Sequence, residues 1–222
     1  MIMEKRKITG AVFDMDGTLV DSMKIWSVAG DKYLKEQGIT SDGYLGEVLF
    51  TMTMEEGAEY MIAQYELDKS EEAVIAGINK IVYDFYAGEV ELKKGVYEAL
   101  SEFERAGIPM AVATSTDREL TEKALSRTGI DKFFKGIFTC SEIGLSKNHP
   151  DIYIAACELL GTDRETTWVF EDGLYGLVTA KAAGFKVVGI YDEVSRHDRE
   201  KLKKESDIYF EGPIDAGLFT VL

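Results

Sequence analysis

Residues 8–22 read Ile-Thr-Gly-Ala-Val-Phe-Asp-Met-Asp-Gly-Thr-Leu-Val-Asp-Ser. The apolar run Ile8 to Phe13 reads as a buried strand that stops at two carboxylates, Asp14 and Asp16, followed at once by Gly17. In an open α/β sheet, ligands bind just beyond the carboxyl ends of the strands. Two acids planted there call for something cationic or reactive to sit on them. On an extended backbone Asp14 and Asp16 point the same way, roughly 6–7 Å apart, within reach of one site. Gly17 allows the sharp turn that follows without steric cost. The plain alternative is a solvated acidic turn. A calcium loop is excluded, because it needs glycine at its sixth position and glutamate at its twelfth, where this chain has Leu19 and Ile25.

Beyond this strand the chain changes character twice. Residues 22–87 read as helix after helix. Met23, Trp26, Gly30, Tyr33 and Leu34 make one apolar stripe; Thr53 with Glu56 forms a capping box for a second helix, striped by Ala58, Met61, Ile62 and Tyr65. Ser70 caps a third, striped by Val74, Ile78, Ile81, Val82 and Phe85, and residues 39–52 stay ambiguous. From residue 93 helices and strands alternate. The spacing predicts helices over 94–106, 116–129, 150–161, 175–183 and 196–205, and strands over 108–113, 136–139, 167–170 and 186–191. Such alternation implies an α/β fold, a Rossmann-like parallel sheet covered by helices on both faces. The helical block then reads as an insertion between the first strand and the rest.

The other strand ends carry complementary chemistry. Strand 108–113 runs into Thr114-Ser115-Thr116, whose hydroxyls and N–H groups form an anion cradle where a helix opens. Thr116 with Glu119 also reads as the cap of that helix. Strand 167–170 ends in Glu171-Asp172-Gly173, a second acidic pair at the same sheet edge. Four carboxylates gathered there need a counter-charge, and Mg²⁺, with its preference for oxygen ligands and phosphate, suits them. Lys147 is the lysine placed to balance the cluster.

Composition narrows the partners. The chain has 222 residues, 45% of them apolar, enough for a real core. Its 25 basic and 40 acidic residues give a formal charge of −15, which offers no general attraction to nucleic acid or anionic membrane. That field is screened within about 8 Å at physiological salt, so a local cation can still hold an anion. Cys140 and Cys157, both in apolar segments, read as buried thiols of a reduced, cytoplasmic protein. No apolar run approaches membrane-spanning length, and the first residues lack the apolar core of a signal peptide. A monomer is expected.

Taken in order, these motifs resemble the haloacid dehalogenase (HAD) superfamily, in the branch with β-phosphoglucomutase and sugar-phosphate phosphatases. Asp14-Met-Asp16-Gly17-Thr18-Leu19-Val20-Asp21-Ser22 is similar to that family's first motif, and Thr114 to the hydroxyl of its second. Lys147, in Ser-Lys-Asn-His-Pro150-Asp151-Ile-Tyr, is similar to the third, and Val169-Phe-Glu171-Asp172 with Gly176 and Ala183-Gly184 to the fourth. Gly173 departs from a frequent serine and Asn148-His149 from a usual Pro-Ala pair. The resemblance covers nearly the whole chain. It implies a catalytic core of residues 1–19 and 93–222 and a helical cap domain of residues 20–92, tethered by two short connections that favour hinge motion.

The resemblance further implies an Mg²⁺-dependent phosphatase of a small phosphorylated metabolite, a sugar phosphate being expected. Asp14 is then the nucleophile that becomes an aspartyl-phosphate, and Asp16 the acid and base. Asp14, the Asp16 carbonyl and Asp172 would hold Mg²⁺, with Glu171 nearby, while Thr114, Ser115 and Lys147 bind the phosphoryl group. A β-phosphoglucomutase-type mutase is the alternative, but Trp26 stands where that enzyme has a cap histidine. Residues 36–68 contain no Lys or Arg, Met54 and Asp117 replace basic residues, and only Arg118 and Lys80 remain to serve a second phosphate. Trp26, Phe50, Met52 and Met54 read either as an apolar wall or as cap core. A non-enzymatic scaffold of the same fold would be marked by loss of the nucleophile, and Asp14 is present.

Overall fold

In a computed structural model the described residues are 8–41, 43–49, 52 and 54–214. They fall into two compact units. One takes in the residues up to Asp21 together with those from Glu91 onward, and the other is Ser22–Val90.

The first unit is built on a six-stranded sheet. Its strands are β1 (Gly10–Phe13), β2 (Met110–Thr114), β3 (Phe134–Thr139), β4 (Thr167–Glu171), β5 (Lys186–Ile190) and β6 (Ile208–Phe210), in the order β3-β2-β1-β4-β5-β6. Every pairing is parallel. The chain therefore leaves β1 toward one side for β2 and returns to its other side for β4. That reversal opens a crevice at the carboxyl ends of β1 and β4. The last pair of β1 at that edge is Phe13 with Phe170, and the second pair in is Val12 with Val169.

Alternation along the strands sends these pairs to opposite faces. Val12, Ala111, Ala113, Val169 and Val187 form one core with Ile152, Tyr153 and Ala156 of α8 (Asp151–Leu160) and with Leu177 and Ala180 of α9 (Leu174–Ala182). On the other face Phe13 stacks on Phe170, ring centroids 4.3 Å apart. Both meet Phe103 of α5 (Val96–Arg105) edge-on, at 5.6 and 5.7 Å. Such aromatic pairs add about 0.5–1.5 kcal/mol each beyond area burial. The triad stiffens the two strand ends that carry the acids.

Elsewhere α5, α6 (Arg118–Thr128), α8 and α9 lie where the spacing predicts them, within a residue or two. The four-residue α7 (Cys140–Ile143) was not anticipated, and α10 (Arg199–Glu205) starts three residues later than predicted. The three-residue β6 was not anticipated. Pro150 sits one position ahead of α8, as its N-cap.

The helical unit contains α1 (Met23–Glu36), α2 (Leu45–Leu49), α3 (Met54–Tyr65) and α4 (Glu71–Gly88). The Ser70 hydroxyl accepts from the Ala73 N–H, as expected of a cap, and α4 buries Val74, Ile78, Ile81, Val82 and Phe85. On α1 the stripe differs from expectation. The buried residues are Ile25, Ala29, Gly30, Tyr33 and Leu34, while Trp26 is 38% exposed. Thr53 lies outside the described residues. Among the described residues no helix is long and apolar enough to cross a membrane, and Cys140 and Cys157 are both free thiols.

Candidate active site

The ladder between β1 and β4 brings the first acids together. The Asp14 N–H donates to the Phe170 carbonyl at 2.9 Å, which places Asp14 beside Glu171 at the sheet edge. Asp14, Glu171 and Asp172 are all buried, and one oxygen of each lies within 4.8 Å of the others. Lys147 enters between them. Its ammonium donates to Asp14 Oδ1 at 2.5 Å and to Glu171 Oε1 at 2.7 Å, and the residue is buried. Tyr153 of α8 donates its hydroxyl to the same Glu171 oxygen at 2.7 Å.

Electrostatics here are strained in one direction. Burial pushes the Asp14 carboxyl well above the ordinary range, with the Lys147 charge pulling against it and the other three acids adding to it. Burial, then Glu171 and Asp192, lift Asp172 to about 7. Burial also disfavours the Lys147 cation, but Asp14 and Glu171 outweigh it and raise its pKa. Crowded, dehydrated carboxylates of this kind relax when a hard divalent cation joins them. Three buried oxygen donors around one point suit Mg²⁺.

Lys147 does not act alone. Lys93 donates to the Gly17 carbonyl at 2.6 Å, the Tyr191 carbonyl at 2.9 Å and Asp192 Oδ2 at 2.9 Å, and its charge holds the Asp172 pKa down. Lys93 also follows an antiparallel bridge between Val20 and Leu92, and its N–H donates to the Leu19 carbonyl. Gly17, at φ +75°, faces Asp172 so closely that a Cβ would lie 2.4 Å from Oδ2. Thr18 donates to Asp172 Oδ1 at 3.4 Å. Tyr153 and Lys93 carried no signal in the sequence: one falls in an apolar helix stripe, the other in a connector.

The remaining expected residues end or follow β1 and β2. Thr114 is fully buried, and its hydroxyl accepts the Thr116 N–H at 3.0 Å. Asp16 is half-buried, and its Oδ2 accepts the Thr116 hydroxyl at 2.7 Å. Ser115 is exposed, its hydroxyl 3.6 Å from the Cys140 sulfur.

In the helical unit, Trp26, Met52 and Met54 line a cavity of about 300 Å³ together with Leu49, Ile78 and the small residues Ala29, Gly30 and Gly57. Phe50 lies outside the described residues. The two cations weighed for a second phosphate are already engaged. Arg118 clamps Glu142 and donates to the Ile137 carbonyl at 2.8 Å, and Lys80 pairs with Asp84 one turn away.

Residues 11–190 match the family described as haloacid dehalogenase-like hydrolase. Validoxylamine A 7′-phosphate phosphatase of Streptomyces hygroscopicus subsp. limoneus is 29% identical over 206 residues, 89% of this chain and 91% of that protein. Hexitol phosphatase B of Escherichia coli (strain K12) is 25% identical over 196 residues, 87% of this chain and 88% of that protein. The crystal structure of CbbY from Rhodobacter sphaeroides in complex with phosphate superposes with a TM-score of 0.71. It is 24% identical and covers 92% of this chain and 94% of its own, a shared fold.

Proposed function

The chain belongs to the haloacid dehalogenase-like hydrolases, and on that premise we propose that it is an Mg²⁺-dependent phosphatase of a small phosphomonoester. The observation that carries this reading is the Lys147 ammonium set between Asp14 and Glu171, with Asp172 completing a group of three carboxylates. The names of its phosphatase relatives support the same substrate class.

Asp14 attacks phosphorus, its carboxylate oxygen forming the new P–O bond as the ester P–O bond breaks. The leaving alkoxide takes a proton from Asp16. Water, deprotonated by Asp16, then attacks the aspartyl-phosphate, releasing phosphate and restoring Asp14. Covalent catalysis of this kind divides one hard displacement into two easier ones. Lys147, the Thr114 hydroxyl and the Ser115 N–H bind the phosphoryl oxygens, and positioning with charge stabilisation does most of the work in phosphoryl transfer. Asp14, Asp172 and the Asp16 carbonyl, with Glu171 beside them, would hold Mg²⁺, which would supply neutralisation of the charge on the transferring group. The cation fits because burial and mutual repulsion raise the carboxyl pKa values of Asp14 and Asp172.

Release of inorganic phosphate across a panel of phosphorylated sugars, polyols and nucleotides, with and without Mg²⁺, tests this. Turnover of at least one ester that chelation of Mg²⁺ abolishes is expected. Absence of turnover across the panel with Mg²⁺ bound contradicts it.

A further inference from the structure

The spacing of Thr116 and Glu119 predicts a helix cap, yet the Thr116 side chain does something else. α6 starts at Arg118 with Asp117 as its N-cap, and no side chain caps it. Thr116 is fastened by its backbone on both sides. Its N–H donates to the Thr114 hydroxyl at 3.0 Å, and its carbonyl accepts the Thr121 hydroxyl at 3.3 Å. With the backbone held and χ1 of a β-branched residue stiff, the hydroxyl is aimed across the crevice at Asp16 Oδ2, 2.7 Å away and 100 residues distant in sequence.

We propose that Thr116 is a positioning residue for Asp16, its hydroxyl holding Oδ2 and with it the carboxyl rotamer. When the ester P–O bond breaks, the Asp16 carboxyl gives its proton to the departing alkoxide while Oδ2 keeps the Thr116 hydrogen bond. In the second half, the carboxylate takes a proton back from the attacking water. The proposal rests on Asp16 as acid and base, and it adds the group that aims it.

Leaving groups separate aim from structure. An alkyl phosphate needs a proton on its leaving oxygen, whereas 4-nitrophenolate departs without one. The kcat/KM value reports the first irreversible step, formation of the aspartyl-phosphate. Thr116→Val should lower kcat/KM for an alkyl phosphate by about tenfold or more, since general acids supply about 10²–10⁴-fold and small misalignments forfeit part of it. The same variant should lower kcat/KM for 4-nitrophenyl phosphate by less than about threefold, and Thr116→Ser, which keeps the hydroxyl, should restore alkyl ester hydrolysis. Thr116→Ala repeats the comparison with a smaller side chain should valine disturb the fold. Equal losses on both esters, or none on either, overturn the proposal. Asp16→Ala distinguishes its failure from that of the underlying mechanism. If Asp16→Ala discriminates between the esters and Thr116→Val does not, only the role of Thr116 falls. If Asp16→Ala treats both esters alike, the acid–base assignment falls, and Thr116 with it.

Discussion

The Lys147 ammonium lies 2.5 Å from Asp14 Oδ1, with side chains only 2% and 9% exposed. The same cation serves Glu171 at 2.7 Å, so one charge is divided between two buried acids. Lys147→Met should therefore leave two carboxylates facing each other in a dry pocket, and breaking a buried pair in this way costs about 3–5 kcal/mol. Thermal unfolding of the metal-free protein measures it. A large fall in Tm is expected, partly recovered by Mg²⁺ as a substitute cation. A variant as stable as the parent contradicts the shared-charge arrangement.

Gly17→Ala tests the packing of the metal ligands. At φ +75° an alanine is strained, and its Cβ would lie 2.4 Å from Asp172 Oδ2, so Asp172 has to move. Gly38 is a control with the same backbone demand, at φ +79°, and open space around it. Disturbing the surroundings of a metal ligand costs about 10–100-fold in affinity. Calorimetric titration with Mg²⁺ should show that loss for Gly17→Ala and none for Gly38→Ala. Equal affinities in the two variants contradict the assignment of Asp172.

Proton competition gives a third expectation. The Asp172 carboxyl is lifted to about 7, and burial moves Asp14 in the same direction. For a carboxyl raised on folding, the native state binds more protons than the unfolded chain between the two pKa values. Stability of the metal-free protein therefore falls as pH rises from about 4 to about 7. Mg²⁺ binds the ionised carboxylates, so its stabilising effect grows over the same interval. The rise in Tm on adding Mg²⁺ should be larger at about pH 8 than at about pH 6. An equal or smaller rise at the higher pH contradicts it.

The strand ends were legible because each apolar run stops at its functional residue: Phe13 before Asp14, Phe170 before Glu171. Lys147 was legible from the loop it occupies. Tyr153 was not, because a tyrosine that packs in the α8 core and also donates to Glu171 has the periodicity of any core residue. Lys93 makes three bonds that only the closing of the sheet creates. On α1, three-and-four spacing accommodates Met23 and Trp26 as readily as Ile25 and Ala29, and burial selected the second set. β6 is too short for alternation to register.

The engaged cations bear on the mutase alternative. A phosphosugar mutase must hold a second phosphate, but Arg118 is committed to Glu142 and the Ile137 carbonyl, and Lys80 to Asp84. Trp26 borders an apolar cavity instead of presenting an imidazole. With Mg²⁺ and glucose 1,6-bisphosphate, conversion of β-glucose 1-phosphate to glucose 6-phosphate should be slower than release of phosphate. Conversion faster than hydrolysis would mean that Arg118 or Lys80 leaves its partner to bind the second phosphate.

The account turns on Asp14 as a covalent nucleophile. Its most direct test is Mg²⁺-dependent hydrolysis of an aryl phosphate by Asp14→Asn, an isosteric change that removes the attacking charge. Loss of a covalent nucleophile costs several orders of magnitude, on the order of 10⁴–10⁶ in kcat. With the fold verified by circular dichroism, the account predicts turnover reduced to the background of the assay. Unchanged turnover in the folded variant would contradict it.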